Sequence, residues 1–402
     1  MRPAARPEPV LSLAAGKPKR VGIVCDFAEE GWPSMDLAAE LLALGLAAHA
    51  GGAFHPSLLR PHLPRRLAGV LPAPTGRNAD RWLGRYRDYP RWLRRRARGF
   101  DLFHVVDHSY AHLVHVLPPL QAVVTCHDLD AFRSLLDPAA EPRPWWFRRT
   151  MRRVLEGLRA AAHVLCDSAA IRDELLAHRL LPPGRVSVAP LPVHPDFSPE
   201  PDAAADAEAD ALLGPFSPGA ADLLHVGSTV PRKRIDRLLR VFAAVRRRRP
   251  EARLVRVGGA LGPEQRALAE RLGVAGAMVE LPFLGRRALA AVYRRAALVL
   301  NPSERVGFGL PLVEAMACAT PVAASDLPAH REVGGEAVLL LPGDDDDTWA
   351  DAADALLRER ADPGRAEARR RALLARAEAF SLAGYAERVT AVYRRVLGMP
   401  AP

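Results

Sequence analysis

The run Asn301-Pro-Ser-Glu-Arg-Val-Gly-Phe-Gly-Leu-Pro-Leu-Val-Glu-Ala-Met-Ala317 carries the most chemistry in this chain. It reads as a strand end, a turn holding Gly307 and Gly309, and a helix starting near Pro311. Glycines let a ligand approach the backbone, while the free N–H groups and the dipole of a helix N-terminus favour an anion such as phosphate. Glu314, one turn into that helix, could accept hydrogen bonds from sugar hydroxyls. A plain strand-to-helix turn with a satisfied glutamate explains the same pattern equally well. A second point is Val123-Val-Thr-Cys-His-Asp-Leu-Asp130, which puts His127 at the carboxyl end of a buried strand. An imidazole there can donate to, or take protons from, substrate oxygens near neutral pH, or it can merely cap the next turn.

Strand ends must converge for these residues to act together, and the chain is long enough to provide them. Its 402 residues, 49% apolar and 25% charged, suffice for two domains with real cores and exclude a disordered chain or a small disulfide scaffold. Apolar strand patterns recur at Arg20–Asp26, Leu102–Val106, Ala122–Cys126, Val164–Cys166 and Val186–Val188, with helical patterns such as Met35–Ala48 and Phe147–Ala162 between them. They restart at Leu223–Gly227, Arg253–Gly258, Met278–Leu281, Leu298–Leu300, Pro321–Ala324 and Val338–Leu341. The reading is α/β, with two doubly wound Rossmann-like domains of parallel strands. The expected boundaries are 18–197, an exposed Pro/Ala/Asp-rich connection at 198–220, 221–380, and a C-terminal helix at 381–398. Ligands of such sheets lie at the carboxyl ends of the strands, here facing each other across a cleft.

Several motifs follow one another in a telling order: Gly227-Ser-Thr-Val-Pro-Arg-Lys-Arg-Ile-Asp-Arg-Leu-Leu239, Leu254–Gly259, Ala288–Ala297, the Gly-Phe-Gly-Leu-Pro turn, Pro321-Val-Ala-Ala-Ser-Asp326 and Arg331-Glu-Val-Gly-Gly335. Over most of its length the chain resembles the retaining glycosyltransferases of family 4, the glycosyl transferases group 1. The resemblance implies the GT-B fold, with the C-terminal helix returning to the N-terminal, acceptor-binding domain. It implies a metal-independent transfer, with retention, of a hexosyl group from a nucleotide diphosphate sugar (UDP- or GDP-linked) to an acceptor hydroxyl. No cofactor is bound, the acceptor is a glycan or is lipid-linked, and the product belongs to cell-envelope or exopolysaccharide synthesis.

By that resemblance Ser228, Arg232 and Lys233 hold the donor diphosphate, Gly307, Phe308, Gly309 and Leu310 give backbone donors, and Glu314 takes the ribose hydroxyls. The base stacks near Pro282 and Phe283. His127 contacts the transferred sugar or its phosphate, with Asp128 orienting it or lining the acceptor site. The departing phosphate deprotonates the acceptor, so His127 supports the transition state. Gly31 alone remains of a Gly-Gly pair expected against the diphosphate. Trp32, Ser34, His108 and Tyr110 are acceptor candidates, although Pro33 and Ser34 also suit a helix start.

The chain departs from the family where a first glutamate is expected, because Val306 offers no acceptor to a donor sugar. Glu304 reaches in from the same strand face or is a surface residue, the more common fate of glutamate. Ala319 stands where the family often has glycine. His108, His112 and His115, at i, i+4 and i+7, could lie along one helical face and bind zinc, but acceptor contacts or packing are preferred. The Asp344–Asp347 run is better explained as a helix N-cap than as a metal motif.

A net charge of +10, from 56 Lys plus Arg against 46 Asp plus Glu, favours anionic partners, although the richness in Arg and Ala also fits a GC-rich coding sequence. Trp82, Tyr86, Tyr89 and Trp92 interleave with arginines, and Pro90 interrupts them. The segment Arg81–Arg98 is read as a helical hairpin with its aromatics packed inward, or as a peripheral contact with membrane; nucleic acid is not the expected partner. Cys25, Cys126, Cys166 and Cys318 form no Cys-x-x-Cys pair, which suits a reducing compartment. No run is long enough to span a membrane, and Val10–Ala15 is too short for a signal peptide. The expectation is a cytoplasmic protein, at most associated with the inner face of a membrane. The alternatives are a non-catalytic nucleotide-sugar-binding relative, for which Val306 speaks, a basic membrane-surface or nucleic-acid interaction protein, and a nucleotide-sugar epimerase of the same fold.

Overall fold

Short apolar runs punctuated by Gly, Pro and Asp become parallel strands buried on both faces, as the computed structural model describes for residues 17–214, 221–343 and 345–400. Val10–Ala15, residues 215–220 of the expected connection, and Asp344 lie outside the described residues. Six strands, β1 (Lys19–Val24), β2 (Phe54–Leu59), β3 (Leu102–Val105), β4 (Ala122–Cys126), β5 (His163–Cys166) and β6 (Val186–Val188), form a sheet in the order β2-β1-β3-β4-β5-β6. Six more, β7 (Asp222–Val226), β8 (Arg253–Val257), β9 (Met278–Leu281), β10 (Leu298–Asn301), β11 (Val322–Ser325) and β12 (Leu339–Leu341), form a second in the order β12-β11-β10-β7-β8-β9. The fold is α/β, two parallel six-stranded sheets with helices.

By internal contacts the chain divides into two compact units. One takes the residues up to Val124 with Arg153–His163 and the stretch from Val389; the other takes Thr125–Arg152 with Val164–Arg388. In the first, helix Pro33–His49 buries Leu41, Leu42 and Leu46. Tyr393, near the C-terminus, is fully buried, its hydroxyl 2.6 Å from Nδ1 of His104 and its ring edge-on to Phe54. The aromatic segment of this unit runs as helix Thr75–Leu83, a wide π-turn at Gly84–Asp88 and helix Tyr89–Arg96. Pro90 is the second residue of that last helix, which directly follows the π-turn, and the backbone stays helical through Asp88 and Tyr89. Tyr89 is core, with its hydroxyl 2.7 Å from the Cys25 carbonyl, whereas Trp82 is 50% exposed.

In the second unit, helices Ile235–Arg248 and Asp346–Arg360 bury Leu238, Phe242, Trp349 and Leu356 in one core with Leu223, Leu254 and Leu298 of the sheet. Asp345 caps the latter helix through the amides of Asp347 and Thr348, at 3.1 Å each. The stretch expected as an exposed connection carries helix Ala203–Leu213 instead. Asp202 caps it and Ala205, Ala209 and Leu213 are buried; a composition of Ala and Asp without strand character is also that of a short capped helix.

Candidate functional site

Strand order in the second sheet reverses between β7 and β10, so the turns that leave their carboxyl ends diverge and open a crevice there. The two turns are tied together, since the amide of Glu304 donates to the carbonyl of Arg232 at 2.8 Å. Residues Gly227–Lys233 leave β7 and end in helix Ile235–Arg248. The methylenes of Lys233 lie against Gly227, where a side chain would stand 3.5 Å away. Burial and the neighbouring Arg232 charge push the Lys233 ammonium down to about 8, against the opposing pull of Glu314. Glu314 is buried, and that burial raises it to about 7 even though its Oε2 accepts the Tyr293 hydroxyl at 2.7 Å and Lys233 draws it down. The result is a half-buried cation and a buried carboxyl poised around neutrality, the carboxyl one turn into helix Leu310–Ala317.

That helix starts at Gly309, whose φ of 112° favours glycine. Two residues earlier, a Cβ on Gly307 would stand 1.7 Å from the His127 carbonyl oxygen, so only glycine fits. Ser168 fixes the same residue by donating to its carbonyl at 2.6 Å. His127, just beyond β4, holds Nδ1 2.5 Å from Oδ2 of Asp167, just beyond β5. Asp167 is thus a carboxylate that orients His127, because neighbouring parallel strands bring their carboxyl ends side by side. Asp128 accepts the Asp130 amide at 3.0 Å and borders a cavity of about 420 Å3 with Arg232, Val306 and Gly307.

Four further polar side chains serve this region, and the sequence reading did not single them out: Asp167, His225, Arg256 and His330. Arg256 on β8 is fully buried and donates to the carbonyls of Gly259 at 2.9 Å and Gly227 at 3.0 Å. His225 on β7 is buried with both ring nitrogens unpartnered; burial, then Arg256 and Lys233, hold it neutral. His330 sits against Gly309. Its Nδ1 faces the Ser325 carbonyl at 2.8 Å, and burial and Lys233 push it down to about 4. The signal for two of them was present: His225 and Arg256 interrupt the apolar strands Leu223–Val226 and Leu254–Val257, where a polar residue has no solvent face to occupy.

Other expected residues lie elsewhere. Ser228 belongs to the β7 turn, Phe308 is buried against Phe380, and Leu310 opens the helix. Pro282 and Phe283 follow β9, the sheet's edge strand, and Phe283 is 59% exposed. Glu304 lies beyond the end of β10, not on it, so it shares no strand face with Val306; it is exposed and faces Arg234 at 3.6 Å. In the first unit, Gly31 ends a short 3-10 turn at φ 68°, Trp32 and Ser34 are exposed at the start of helix Pro33–His49, and His108 and Tyr110 are buried. Tyr110 is core: its hydroxyl is 3.4 Å from the Phe27 amide and Arg85 stacks on its ring. His108, His112 and His115 fall in a 3-10 helix, His108–Val116, whose three-residue turn does not align that spacing. Among the described residues no group of three or more His, Cys, Asp or Glu is placed to hold a metal ion, and no described helix is long and apolar enough to cross a membrane.

Residues 35–197 match the family model described as Glycosyltransferase Family 4, and residues 220–359 match Glycosyl transferases group 1. The chain belongs to glycosyltransferase family 4. Among curated relatives, this family 4 chain is 40% identical over 213 residues to the D-inositol 3-phosphate glycosyltransferase of Segniliparus rotundus, covering 50% of this chain and 44% of the relative. It is 37% identical over 182 residues to that of Mycobacterium leprae, covering 43% and 41%. The match thus spans less than half the length of these relatives. Among solved GT-B structures, sucrose-phosphate synthase from Thermosynechococcus elongatus superposes with a TM-score of 0.70 at 21% identity over 94% of this chain and 99% of that one. HepE of Anabaena, solved with UDP-glucose, superposes at 0.69 and 15% identity over 94% and 99%. At these identities the likeness shows the fold.

Proposed function

We propose that this chain transfers a hexosyl group from a nucleotide diphosphate sugar to an acceptor hydroxyl with retention. The observation that carries the reading is the half-buried Lys233 on the turn after β7 at the β7/β10 crevice, within electrostatic reach of Glu314 one turn into helix Leu310–Ala317. As the glycosidic bond breaks, negative charge grows on the departing diphosphate. An ammonium and fixed N–H donors in a desolvated crevice stabilise that charge more than they stabilise the bound donor. Glu314 suits a ribose diol, since a buried carboxyl that already accepts from Tyr293 retains further acceptor capacity. Asp167 holds the imidazole of His127 by Nδ1 and turns Nε2 to the opposite edge, which suits a donor to the transferred group. The exposed Phe283 offers a face for the base.

A nucleotide sugar is supported by HepE, whose structure holds UDP-glucose, and an envelope glycan product by the similarity to WaaG, a glycosyltransferase of lipopolysaccharide biosynthesis (TM-score 0.68, 17% identity, covering 93% of this chain and 99% of that one). Arg81–Arg98 is proposed to touch an anionic bilayer, on the half-exposed Trp82 and the exposed Arg94–Arg96; salt-insensitive or absent sedimentation with phosphatidylglycerol vesicles would refute this. The main test is calorimetric titration with UDP, GDP and ADP, comparing native protein with Lys233→Ala. One nucleotide should bind, and the variant should bind it about tenfold or more weakly. Absence of binding at millimolar nucleotide removes the donor site and with it the reading.

A further inference from the structure

Asp130 is faced by three guanidinium groups. Arg232 places Nε 3.3 Å from Oδ2, Arg133 places Nε 3.7 Å from Oδ1, and Arg305 places Nη1 3.9 Å from Oδ1. All three separations exceed the roughly 2.9 Å of a well-made bond between a guanidinium and a carboxylate. One carboxylate at these distances satisfies none of them, and the Nε atoms of Arg133 and Arg305 are buried without a hydrogen-bond partner. Of the nearby acids, Asp173 pairs with Arg172 at 2.8 Å, while the exposed Glu304 stands 3.6 Å from Arg234. Glu174 joins the cluster at 3.1 Å from Arg133, and Asp128, Asp173 and Glu304 also line the cavity.

The cluster lines the cavity of about 420 Å3 that Val306 and Gly307 also border, a size that holds a small ligand. We propose that Arg133, Arg232 and Arg305 form an anion subsite for the phosphate of a phosphorylated acceptor, and that Asp130 holds the place of that phosphate until it binds. A phosphate carries more charge than a carboxylate and has three free oxygens, so it can meet guanidinium forks that Asp130 reaches poorly. The hydroxyl-bearing part of the acceptor then lies in the same cavity, next to the start of the Gly307–Gly309 turn. This rests on the transferase reading above, with Arg232 shared between the two anions.

The test titrates the full-length protein with glucose 6-phosphate, glucose and inorganic phosphate, alone and then saturated with the nucleoside diphosphate it binds. Glucose 6-phosphate should bind about tenfold or more tightly than glucose, and inorganic phosphate should compete with it. Arg305→Ala and Arg133→Ala should erase most of that difference while leaving nucleoside diphosphate affinity as it was. Asp130→Asn keeps the side-chain shape and should tighten glucose 6-phosphate several-fold, the opposite of what loss of a structural carboxylate would do. Equal binding of glucose and its phosphate overturns the proposal, and so does weaker binding by Asp130→Asn. Loss of nucleoside diphosphate binding in Arg305→Ala would assign the cluster to the donor instead, and also overturns it. If no nucleoside diphosphate binds, the donor reading fails, and the titration of unloaded protein still decides the phosphate subsite.

Discussion

Lys233 and Glu314 titrate toward each other, and each shift has a stability consequence of known sign. Glu314 is raised from 4.5 to about 7 in the folded protein, so between those values the unfolded chain has already lost a proton that the fold retains. Stability therefore falls as pH rises through that window. Lys233 is lowered from 10.5 to about 8, so from about 8 to 10.5 the unfolded chain holds the extra proton and stability rises again. Glu314→Gln should flatten the fall between pH 4.5 and 7 in denaturant titrations; an unchanged slope would mean that Glu314 ionises normally. Nucleoside diphosphate affinity should drop as pH passes about 8, because the anion needs Lys233 charged. Val306→Glu restores the acceptor the family usually carries, and a gain in turnover would mark the native chain as a weakened or altered catalyst. Lys233, Glu314 and the glycines were legible in the sequence because their motif is contiguous. Asp167 was not, since it meets His127 only through the pairing of strands 40 residues apart in sequence, and His330 lay unremarked just before the Arg331–Gly335 motif.

Helix Leu310–Ala317 is short, and its carboxyl end carries avoidable strain. Ala319 adopts φ 57° so that its own amide can reach the Met316 carbonyl and that of Thr320 can reach Ala315, at 3.0 and 2.8 Å. A glycine takes this left-handed position without the Cβ penalty, so Ala319→Gly should raise unfolding stability by about 1 kcal/mol. A measured loss would show that the methyl packs better than its backbone cost. Most elements were legible at this scale, because strands buried on both faces write themselves as unbroken apolar runs such as Leu298–Leu300. β2 was not, since Phe54-His-Pro-Ser-Leu-Leu59 contains a proline and polar residues; it is an edge strand, where a missing N–H is tolerated. Helix Ala203–Leu213 was hidden by a composition that loops and short helices share.

Across the molecule, strand order was beyond what spacing along the chain could give, because it is set by which helices cross which face. The reversal between β7 and β10 creates the crevice, and Arg256 conditions it from below. Its guanidinium draws in the carbonyls of Gly227 and Gly259. In a planar trans peptide the C=O and the following N–H point in opposite directions, so the amides of Ser228 and Ala260 are turned the other way. A cation with no exposed surface thus acts as a rectifier: it sorts peptide dipoles so that their acceptor ends face inward and their donor ends outward. Positive potential reaches the crevice floor without a mobile charged side chain there, and it is little screened by salt. Arg256→Met should weaken nucleoside diphosphate binding about tenfold without touching the ligand. Unchanged affinity in a folded variant would mean that the turn keeps its orientation unaided.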